Sequence, residues 1–311
     1  MMRAALHDRY GSPSVLHEAL LPVPTPGPGE VRVRVHAAGV NAIDTVLRAG
    51  KLRLVTGRRF PRGTGLDFAG VVDTSDSPGY APGDRVWGTI PNHPRNPAGA
   101  AAEYVVTTPD RLAAAPPGVD LADLAALPGV GVTALIALRD HARLRAGQTV
   151  LIRGAAGGFG TAALQLAHAA GARVTALASA RHLPALRDLG AGAVLDRATT
   201  DPAGLGHFDI VLDAAGTELP AYRRHAGRTV TIAWGSIPTL LTIAASAVHG
   251  PRRIRSFSAT PAHADLALLT DHVTRGDLRP VVAGRFPLTE AAAAHAAFER
   301  GGALGKWLIV P

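Results

Sequence analysis

Four glycines, Gly154, Gly157, Gly158 and Gly160, lie between the apolar run TVLIR and the Ala-rich run TAALQLAHAAG. Glycine allows a tight backbone turn and lets a phosphate group approach the main chain without meeting a Cβ atom. A helix that begins at such a turn adds unpaired N–H groups and the positive end of its dipole. A strand, a glycine-rich turn and a helix in this order predict a pyrophosphate cradle. Its residues would be Gly154, Ala155, Gly157, Gly158, Phe159 and Gly160.

The alternative to a cradle is a plain turn between a strand and a helix. The flanking strand and helix favour the cradle, because a glycine pattern gains meaning only in that context. The segment lacks the Gly-Lys-Ser/Thr ending of a phosphate loop, which disfavours ATP hydrolysis.

The segment LASAR, at the end of the next predicted strand, bears on the choice of nucleotide. In a dinucleotide-binding fold an acidic residue at this place holds the ribose 2′-hydroxyl of NAD. Here the strand end carries Ser179 and Arg181 and no carboxylate. A hydroxyl and a guanidinium suit a 2′-phosphate, and Arg197 after the third strand is a second contact for phosphate or adenine. These residues predict NADPH rather than NADH, while Ser179 as the cap of the following helix stays open.

The elements that must position these residues alternate along the chain. From residue 119 onward, apolar strands and helical runs follow each other, which predicts an α/β domain with a doubly wound parallel sheet over residues 119–251. The first third is rich in short strands between Gly/Pro turns, as in EVRVRVHAAGV. We expect residues 1–118 and 252–311 to form one second domain, because the short closing strand KWLIV needs a sheet to join.

Composition limits the classes of protein and partner. A chain of 311 residues with 47% hydrophobic residues can build two domains. No long uninterrupted apolar run and no signal-peptide core are found, so we expect no membrane partner. The absence of cysteine predicts a reducing cytoplasm. The net charge of +8 comes from scattered arginines, so we expect no nucleic-acid partner.

Five segments together resemble the zinc-free medium-chain dehydrogenases/reductases of the quinone oxidoreductase (zeta-crystallin-like) type. They are NAIDTVLRAG, GTGLDFAGVV, LPGVGVTAL, RGAAGGFGTAALQLA and GKWLIVP, in the order of that family. The resemblance covers nearly the whole chain. It implies a GroES-like β-rich catalytic domain beside a Rossmann domain that binds NADPH, an active site in the cleft, and a homodimer.

The resemblance also implies roles for single residues. Asn41 and Asp44 would be catalytic and line the substrate end of the cleft, although a turn with a helix cap is the alternative for this pair. The remaining implied residues would contact the cofactor, mostly from strand ends that face the crevice of a doubly wound sheet. They are Thr133, Ala215, Gly216, Trp234, Gly235, Ser236 and Lys306, with core packing as the alternative for Trp234.

The predicted chemistry uses no metal. Zinc relatives have Gly-His-Glu where this chain has Gly65-Leu66-Asp67, and cysteine ligands are absent. The remaining chemistry is hydride transfer from a nicotinamide to a quinone or an α,β-unsaturated carbonyl (enone), whose anion is delocalised.

Tyrosines that serve many relatives as candidate proton donors are missing, because those places hold Val46 and Leu52. Solvent would then protonate the product. Two alternatives remain open: an enoyl reductase acting on a thioester or biosynthetic intermediate, and a non-catalytic NADPH-binding or regulatory protein.

Overall fold

The computed structural model describes residues 1–57, 59–90, 97–233 and 237–311. The chain divides into two compact units. Unit 1 contains residues Met1–Gly129, Pro261–Arg275 and Pro280–Pro311, and unit 2 contains Val130–Thr260 and Gly276–Arg279. These bounds come from the packing of the chain, and the domain limits expected from the sequence stay a prediction.

Unit 1 is built on strands. Its strands are β1 (Met2–His7), β2 (His17–Leu21), β3 (Val31–Gly39), β4 (Arg62–Gly63), β5 (Asp67–Ser75), β6 (Arg85–Thr89), β7 (Tyr104–Thr107), β8 (Leu112–Ala114), β15 (Val282–Pro287) and β16 (Lys306–Val310). Its helices are α1 (Ala42–Arg48), α2 (Arg53–Thr56), α3 (Leu121–Leu124), α9 (His263–Thr274) and α10 (Ala291–Arg300).

The strands of unit 1 form two sheets. The larger has the order β15-β16-β3-β5-β6-β8, with β7 also paired to β3, and the smaller has the order β2-β1-β4. Val and Arg alternate along β3, and Val31, Val33 and Val35 are buried in the core with Phe68. The alternation predicted from EVRVRVHAAGV therefore places one face of β3 inwards. The C-terminal strand β16 joins the larger sheet between β15 and β3, as its short apolar sequence requires.

Unit 2 is built on one parallel sheet with the order β11-β10-β9-β12-β13-β14. Its strands are β9 (Thr149–Arg153), β10 (Arg173–Ala178), β11 (Ala193–Asp196), β12 (Phe208–Asp213), β13 (Ala226–Thr231) and β14 (Ile254–Ser256). The helices are α5 (Gly158–Ala169), α6 (Leu183–Asp188), α7 (Leu219–Arg223) and α8 (Ile237–Ala245), while α4 (Pro128–Ile136) begins at the end of unit 1 and leads into the π-helical turn Ala137–Ala142.

The strand order of unit 2 reverses at its centre. From β9 the chain proceeds to β10 and β11 on one side, and then returns to β12, β13 and β14 on the other. The predicted doubly wound parallel sheet is therefore confirmed. In such sheets ligands bind in the crevice at the carboxyl ends of the strands where the order reverses, which here lies between β9 and β12.

The helices of the structure bear on the expectation that the protein has no membrane partner. Among residues 1–57, 59–90, 97–233 and 237–311, no helix has the length and apolar composition that crossing a membrane requires.

Candidate cofactor and active sites

The predicted cradle lies at the centre of unit 2. Strand β9 ends at Arg153, and helix α5 begins at Gly158 with Gly157 as its N-cap. The N–H groups of the first turn have no partner within the helix, and that turn contains no acidic residue. The cradle therefore presents the donors and the dipole that an anionic phosphate needs.

Three cradle glycines serve different purposes. Gly154 has φ +73°, and a Cβ atom on Gly160 would lie 2.6 Å from the Cα of Ala155, so the fold itself requires glycine at both positions. A Cβ atom on Gly157 would meet nothing closer than the carbonyl oxygen of Gly154 at 3.5 Å. The space beside Gly157 is open, which fits a ligand that approaches the backbone there.

The two cradle residues that are not glycine, Ala155 and Phe159, have buried side chains. Only their backbone atoms are available to a nucleotide.

The end of β10 carries the residues predicted to select the nucleotide. Ser179 precedes the 3-10 turn Ala180–His182, but its side chain makes no capping hydrogen bond, so the capping alternative is not formed. The N–H of Arg197 donates to the carbonyl oxygen of Ala178 at 2.8 Å, which fixes Arg197 beside this strand end. Arg181 and Arg197 are both exposed. One hydroxyl-bearing residue and two exposed arginines thus lie at or just after the carboxyl ends of β10 and β11.

The turn after β12 contains two of the predicted cofactor residues. The N–H groups of Ala215 and Gly216 donate to the carboxylate of Asp213, at 3.3 and 3.1 Å, and Thr239 Oγ1 donates to the carbonyl oxygen of Gly216 at 2.6 Å. Their backbone N–H groups are engaged inside the protein, so a cofactor would meet other atoms of this turn. Thr133 is half-buried in α4. Trp234, Gly235 and Ser236 lie outside the described residues.

A buried row of polar side chains crosses the sheet at this level. Arg153, Asp213 and Thr231 are the last residues of β9, β12 and β13 and lie opposite one another in register. Arg153 Nη1 donates to Asp213 Oδ1 at 2.6 Å, and Thr231 Oγ1 donates to Asp213 Oδ2 at 3.0 Å. The sequence analysis missed this row. The available signal was that carboxyl ends of parallel strands meet at one edge of a sheet.

A second polar network, in unit 1, contains both predicted catalytic residues. Asn41 Nδ2 donates to Asp67 Oδ2 at 3.0 Å, and Lys306 Nζ donates to Asn41 Oδ1. Lys306 Nζ also lies 3.4 Å from Asp67 Oδ2. Asp44 Oδ2 accepts the backbone N–H of Asn41 at 2.7 Å, at the start of α1. The helix-cap alternative for this pair is therefore formed. Asn41 is held by hydrogen bonds to three side chains, those of Asp44, Asp67 and Lys306.

Burial changes the protonation of this network. Asp44 is 3% exposed. Burial raises its pKa to about 7, an effect that the N–H of Asn41 opposes and the nearby Asp67 carboxylate reinforces. Asp44 thus accepts the backbone N–H of Asn41, and its carboxyl group carries a proton over part of the physiological pH range. The catalytic roles of Asn41 and Asp44 stay predictions.

Lys306 was expected to contact the cofactor. The structure places its ammonium group in unit 1, 4% exposed and shared between Asn41 and Asp67. The expected cofactor contact stays a prediction, and the observed contacts tie Lys306 to the predicted catalytic amide.

Val46 and Leu52 occupy the two places where many relatives carry tyrosine. Val46 lies within α1, and Leu52 is 39% exposed. Tyr10 packs against Gly50 and donates its hydroxyl to the carbonyl oxygen of Gly57, so that proton is already engaged.

A metal site would need several ligand side chains close together. In residues 1–57, 59–90, 97–233 and 237–311, no three His, Asp or Glu side chains lie together in a way that could hold a metal ion. The sequence has no cysteine. The donor set therefore does not fit a catalytic zinc of the Cys/His type.

Two family models match the chain. The alcohol dehydrogenase GroES-like domain matches residues 27–117, and the zinc-binding dehydrogenase domain matches residues 189–309. A GroES-like β-rich domain and a doubly wound nucleotide-type sheet define the class of medium-chain dehydrogenases/reductases. The predicted fold class is confirmed.

Individual relatives are similar over most or all of their length. The chloroplastic quinone-oxidoreductase QR1 of Triphysaria versicolor is 30% identical, covering 100% of this chain and 99% of its own. The mitochondrial NAD(P)H oxidoreductase RTN4IP1 of Mus musculus is 31% identical, covering 99% of this chain and 89% of its own. The solved structure of the quinone oxidoreductase from Coxiella burnetii superposes with a TM-score of 0.89 at 30% identity, covering 100% of this chain and 99% of its own.

The chain belongs to the quinone oxidoreductase type of the medium-chain dehydrogenase/reductase family, a family of NAD(P)H-dependent oxidoreductases. This assignment confirms the resemblance on which the predicted roles depend.

Proposed function

We propose that the protein is an NADPH-dependent reductase that transfers hydride to a quinone or an enone without a metal ion. The observation that carries the proposal is the strand end of β10, where Ser179 and Arg181 follow the strand with no acidic residue in that segment, and where Arg197 donates its N–H to Ala178. The neighbouring Asp196, which ends β11 opposite Ala178, accepts the N–H of Ala198 at 3.1 Å. A hydroxyl and two guanidinium groups suit a 2′-phosphate, and β10 ends without the acidic residue that would hold a free 2′-hydroxyl in the NAD manner.

The cofactor would be held along the carboxyl edge of the unit 2 sheet. The cradle would take the pyrophosphate, Ser179 and the two arginines would take the 2′-phosphate, and the turn after β12 would take the nicotinamide side. When bound, NADPH supplies the hydride. Thr133, Trp234, Gly235 and Ser236 complete the proposed contacts.

Asn41 would bind the substrate oxygen on which negative charge develops. One Nδ2 hydrogen is used by Asp67 at 3.0 Å, while the other has only a 3.5 Å contact to the carbonyl oxygen of Gly39 and can turn to a substrate. The ammonium of Lys306 on Asn41 Oδ1 polarises the amide and strengthens its N–H donors. Asp44 and Asp67 hold the amide in place, and solvent would protonate the reduced carbon or oxygen.

The proposal of metal-free chemistry rests on the donor set. The zinc-binding dehydrogenase model matches residues 189–309, but the chain has no cysteine, and Leu66 and Asp67 stand where zinc relatives have His and Glu. Delocalised quinol and enolate anions need only modest hydrogen-bond donors, which Asn41 can provide.

We further propose residues 119–251 as the NADPH-binding domain and residues 1–118 with 252–311 as the catalytic domain. A homodimer in a reducing cytoplasm is the proposed assembly and compartment. The lack of cysteine supports such a compartment, and the family resemblance supports the dimer.

The test is a panel of quinones, enones and enoyl thioesters, each mixed with the protein and NADPH while nicotinamide absorbance is followed. We expect oxidation of NADPH by quinones or simple enones. Turnover with enoyl thioesters alone would favour the enoyl reductase alternative. NADPH binding without turnover on any substrate would favour the non-catalytic alternative.

The variant Asn41→Ala assigns the donor. It should lower turnover by about 100-fold, the typical loss of one oxyanion donor, while NADPH affinity is unchanged. Thr45→Ala, in the same helix, is the matched control and should keep full turnover. Unchanged turnover in Asn41→Ala would reduce Asn41 to a structural cap.

A further inference from the structure

The polar row at the carboxyl ends of β9, β12 and β13 contains more hydrogen bonds than the end of a strand requires. Asp213 is fully buried and accepts hydrogen bonds from the Arg153 guanidinium, the Thr231 hydroxyl and the N–H groups of Ala215 and Gly216. One carboxylate thus fixes the ends of three strands and the turn that follows the middle one.

Arg153 is equally enclosed. It is 3% exposed, its Cζ lies 3.7 Å from the centre of the Tyr222 ring, and Nη2 is 3.5 Å from Thr217 Oγ1. The next residue along the chain is Gly154, the first of the cradle. The pair therefore links the start of the cradle directly to the turn after β12.

The location of the pair coincides with the reversal of strand order. Arg153 ends β9 and Asp213 ends β12, and these strands are neighbours in register exactly at the place where the chain changes direction across the sheet. In a doubly wound sheet a dinucleotide crosses the sheet at that place, with its two halves on opposite sides. The Arg153–Asp213 pair lies beneath the place where a dinucleotide would cross the sheet.

The structure around the turn after β12 shows what the pair controls. A Cβ atom on Gly154 would lie 3.4 Å from the Cβ of Ala214, so the cradle packs against this turn. Gly216 has φ +70° and packs against Ala233, and its amide is held by Asp213. Without the carboxylate, two backbone N–H groups of the turn would lose their acceptor.

Stability alone does not explain a charged pair at this depth. Buried ion pairs are costly to desolvate, and apolar residues of similar volume often stabilise a fold as well or better. A pair in register between two strands does, however, specify one relative position of the segments that follow.

We propose that Arg153 and Asp213 are positioning residues for the nicotinamide half of the cofactor, because they hold the turn after β12 in a fixed place relative to the cradle. This assignment rests on the proposed use of NADPH. The adenine half would be held by Ser179 and Arg181 after β10 and by Arg197 after β11, on the other side of β9, and would not depend on the pair.

The test compares NADPH with 2′,5′-ADP, which contains the adenine half alone. Asp213→Asn keeps the shape of the side chain but removes the charge and one acceptor. We expect this variant to bind 2′,5′-ADP within about twofold of the wild type, while NADPH affinity or turnover at saturating NADPH falls about 10- to 100-fold.

A second variant and a control keep the test decisive. The double variant R153M/D213N leaves no unpaired buried charge and should show the same selective loss if the single variant does not fold. Asp209→Asn is the matched control, because Asp209 joins the same two strands at their opposite ends through Thr149, whose N–H and Oγ1 both lie 2.8 Å from Asp209 Oδ2. This control should leave both affinities unchanged.

The outcomes separate the assignment from the proposed function. An unchanged ratio of NADPH to 2′,5′-ADP affinity, with unchanged turnover, would overturn the positioning role, as would equal losses for both molecules. A wild-type protein that binds neither would overturn the proposed cofactor and this assignment with it. A wild type that binds NADPH without turnover would contradict only the proposed enzyme activity, since the affinity ratio still tests the pair.

Discussion

The two buried polar networks, one in each unit, are built in opposite ways. In unit 2, Arg153, Asp213 and Thr231 are neighbours in register on adjacent parallel strands. In unit 1, Asn41, Asp67 and Lys306 come from a helix start and two strands and meet through one side-chain amide. The first network depends on the sheet, whereas the second depends on the hydrogen bonds of a single residue.

The charges of the two networks also differ. Unit 2 has one carboxylate for one guanidinium, and both are paired. The unit 1 network has the two carboxylates of Asp44 and Asp67 for one ammonium group, and burial raises the pKa of Asp44 to about 7, with the nearby Asp67 carboxylate acting in the same direction. The unit 1 network, which contains the proposed substrate donor, therefore changes charge near neutral pH. The unit 2 network, under the place where the cofactor is proposed to cross the sheet, is instead a pair of equal and opposite charges.

The largest expected effect is the loss of the ammonium group of the unit 1 network. Lys306→Met leaves the buried Asp67 carboxylate without its ammonium partner, so the free energy of unfolding should fall by about 3–5 kcal/mol. Urea denaturation measures it. Lys51→Met is the matched control, because Lys51 is the other lysine of the chain and is exposed. A loss below about 1 kcal/mol, as for a surface pair, would show that Lys306 does not neutralise this network.

The pH dependence of stability sharpens the difference in charge. The folded-state pKa of Asp44, about 7, lies above its ordinary value of 3.8, so its contribution to stability falls as pH rises between these values, by about 1.4 kcal/mol per pH unit. Asp44→Asn should remove this slope. Relative to the wild type, the variant should therefore gain stability from pH 4.5 to pH 6.5 by about 3 kcal/mol.

His295 provides the opposite slope within the same unit. It is fully buried, and burial lowers its pKa to about 3 from 6.5, with nearby Arg48 acting in the same direction. Its neutral form stabilises the fold above pH 6.5, and this contribution is lost as pH falls. His295→Gln should therefore gain stability relative to the wild type as pH decreases. Relative slopes of the same sign for the two variants in urea denaturation would contradict at least one of the two assignments.

The cradle above the unit 2 network gives a smaller effect. Gly160→Ala places a Cβ atom 2.6 Å from the Cα of Ala155 and should lower the free energy of unfolding by about 1–3 kcal/mol. Gly157→Ala has room for its Cβ atom, so it should leave the free energy of unfolding unchanged while lowering the affinity for NADPH. Equal stability of the two variants in thermal denaturation would show that the cradle backbone is looser than described.

The smallest effect concerns one hydrogen bond of the unit 2 row. Thr231→Val removes the donor to Asp213 Oδ2 at nearly constant volume, with an expected loss of about 1 kcal/mol. A loss as large as that expected for Lys306→Met would mean that the row is as strongly coupled as the unit 1 network. Chemical denaturation of both variants under one set of conditions makes this comparison.

The sequence predicted the parts of the molecule that depend on local pattern. The alternation of apolar strands and helices predicts the doubly wound sheet, and the glycines between TVLIR and α5 predict the cradle. The alternative that Ser179 caps a helix also came from local pattern, but in the structure its side chain makes no capping hydrogen bond.

Contacts between distant residues could not be predicted in the same way. Arg153 and Asp213 are 60 residues apart, and each ends an apolar strand that carries no motif of its own. Only the general rule that carboxyl ends of parallel strands meet at one edge of a sheet pointed to their pairing. Lys306 and Asn41 are 265 residues apart, and the ammonium–amide contact depends on β16 joining the sheet beside β3. Register and strand order decide such contacts, and neither is written in a short motif.

The measurement that tests the central claim most directly is the affinity of the wild type and Arg181→Ala for NADPH and NADH, determined by calorimetry. The account predicts that the wild type prefers NADPH and that the variant loses about 10- to 100-fold in NADPH affinity while NADH affinity hardly changes, since only NADPH carries the 2′-phosphate. Arg187→Ala, an exposed arginine of α6, should change neither affinity. Equal losses for both cofactors in Arg181→Ala, or a wild type that prefers NADH, would contradict the account.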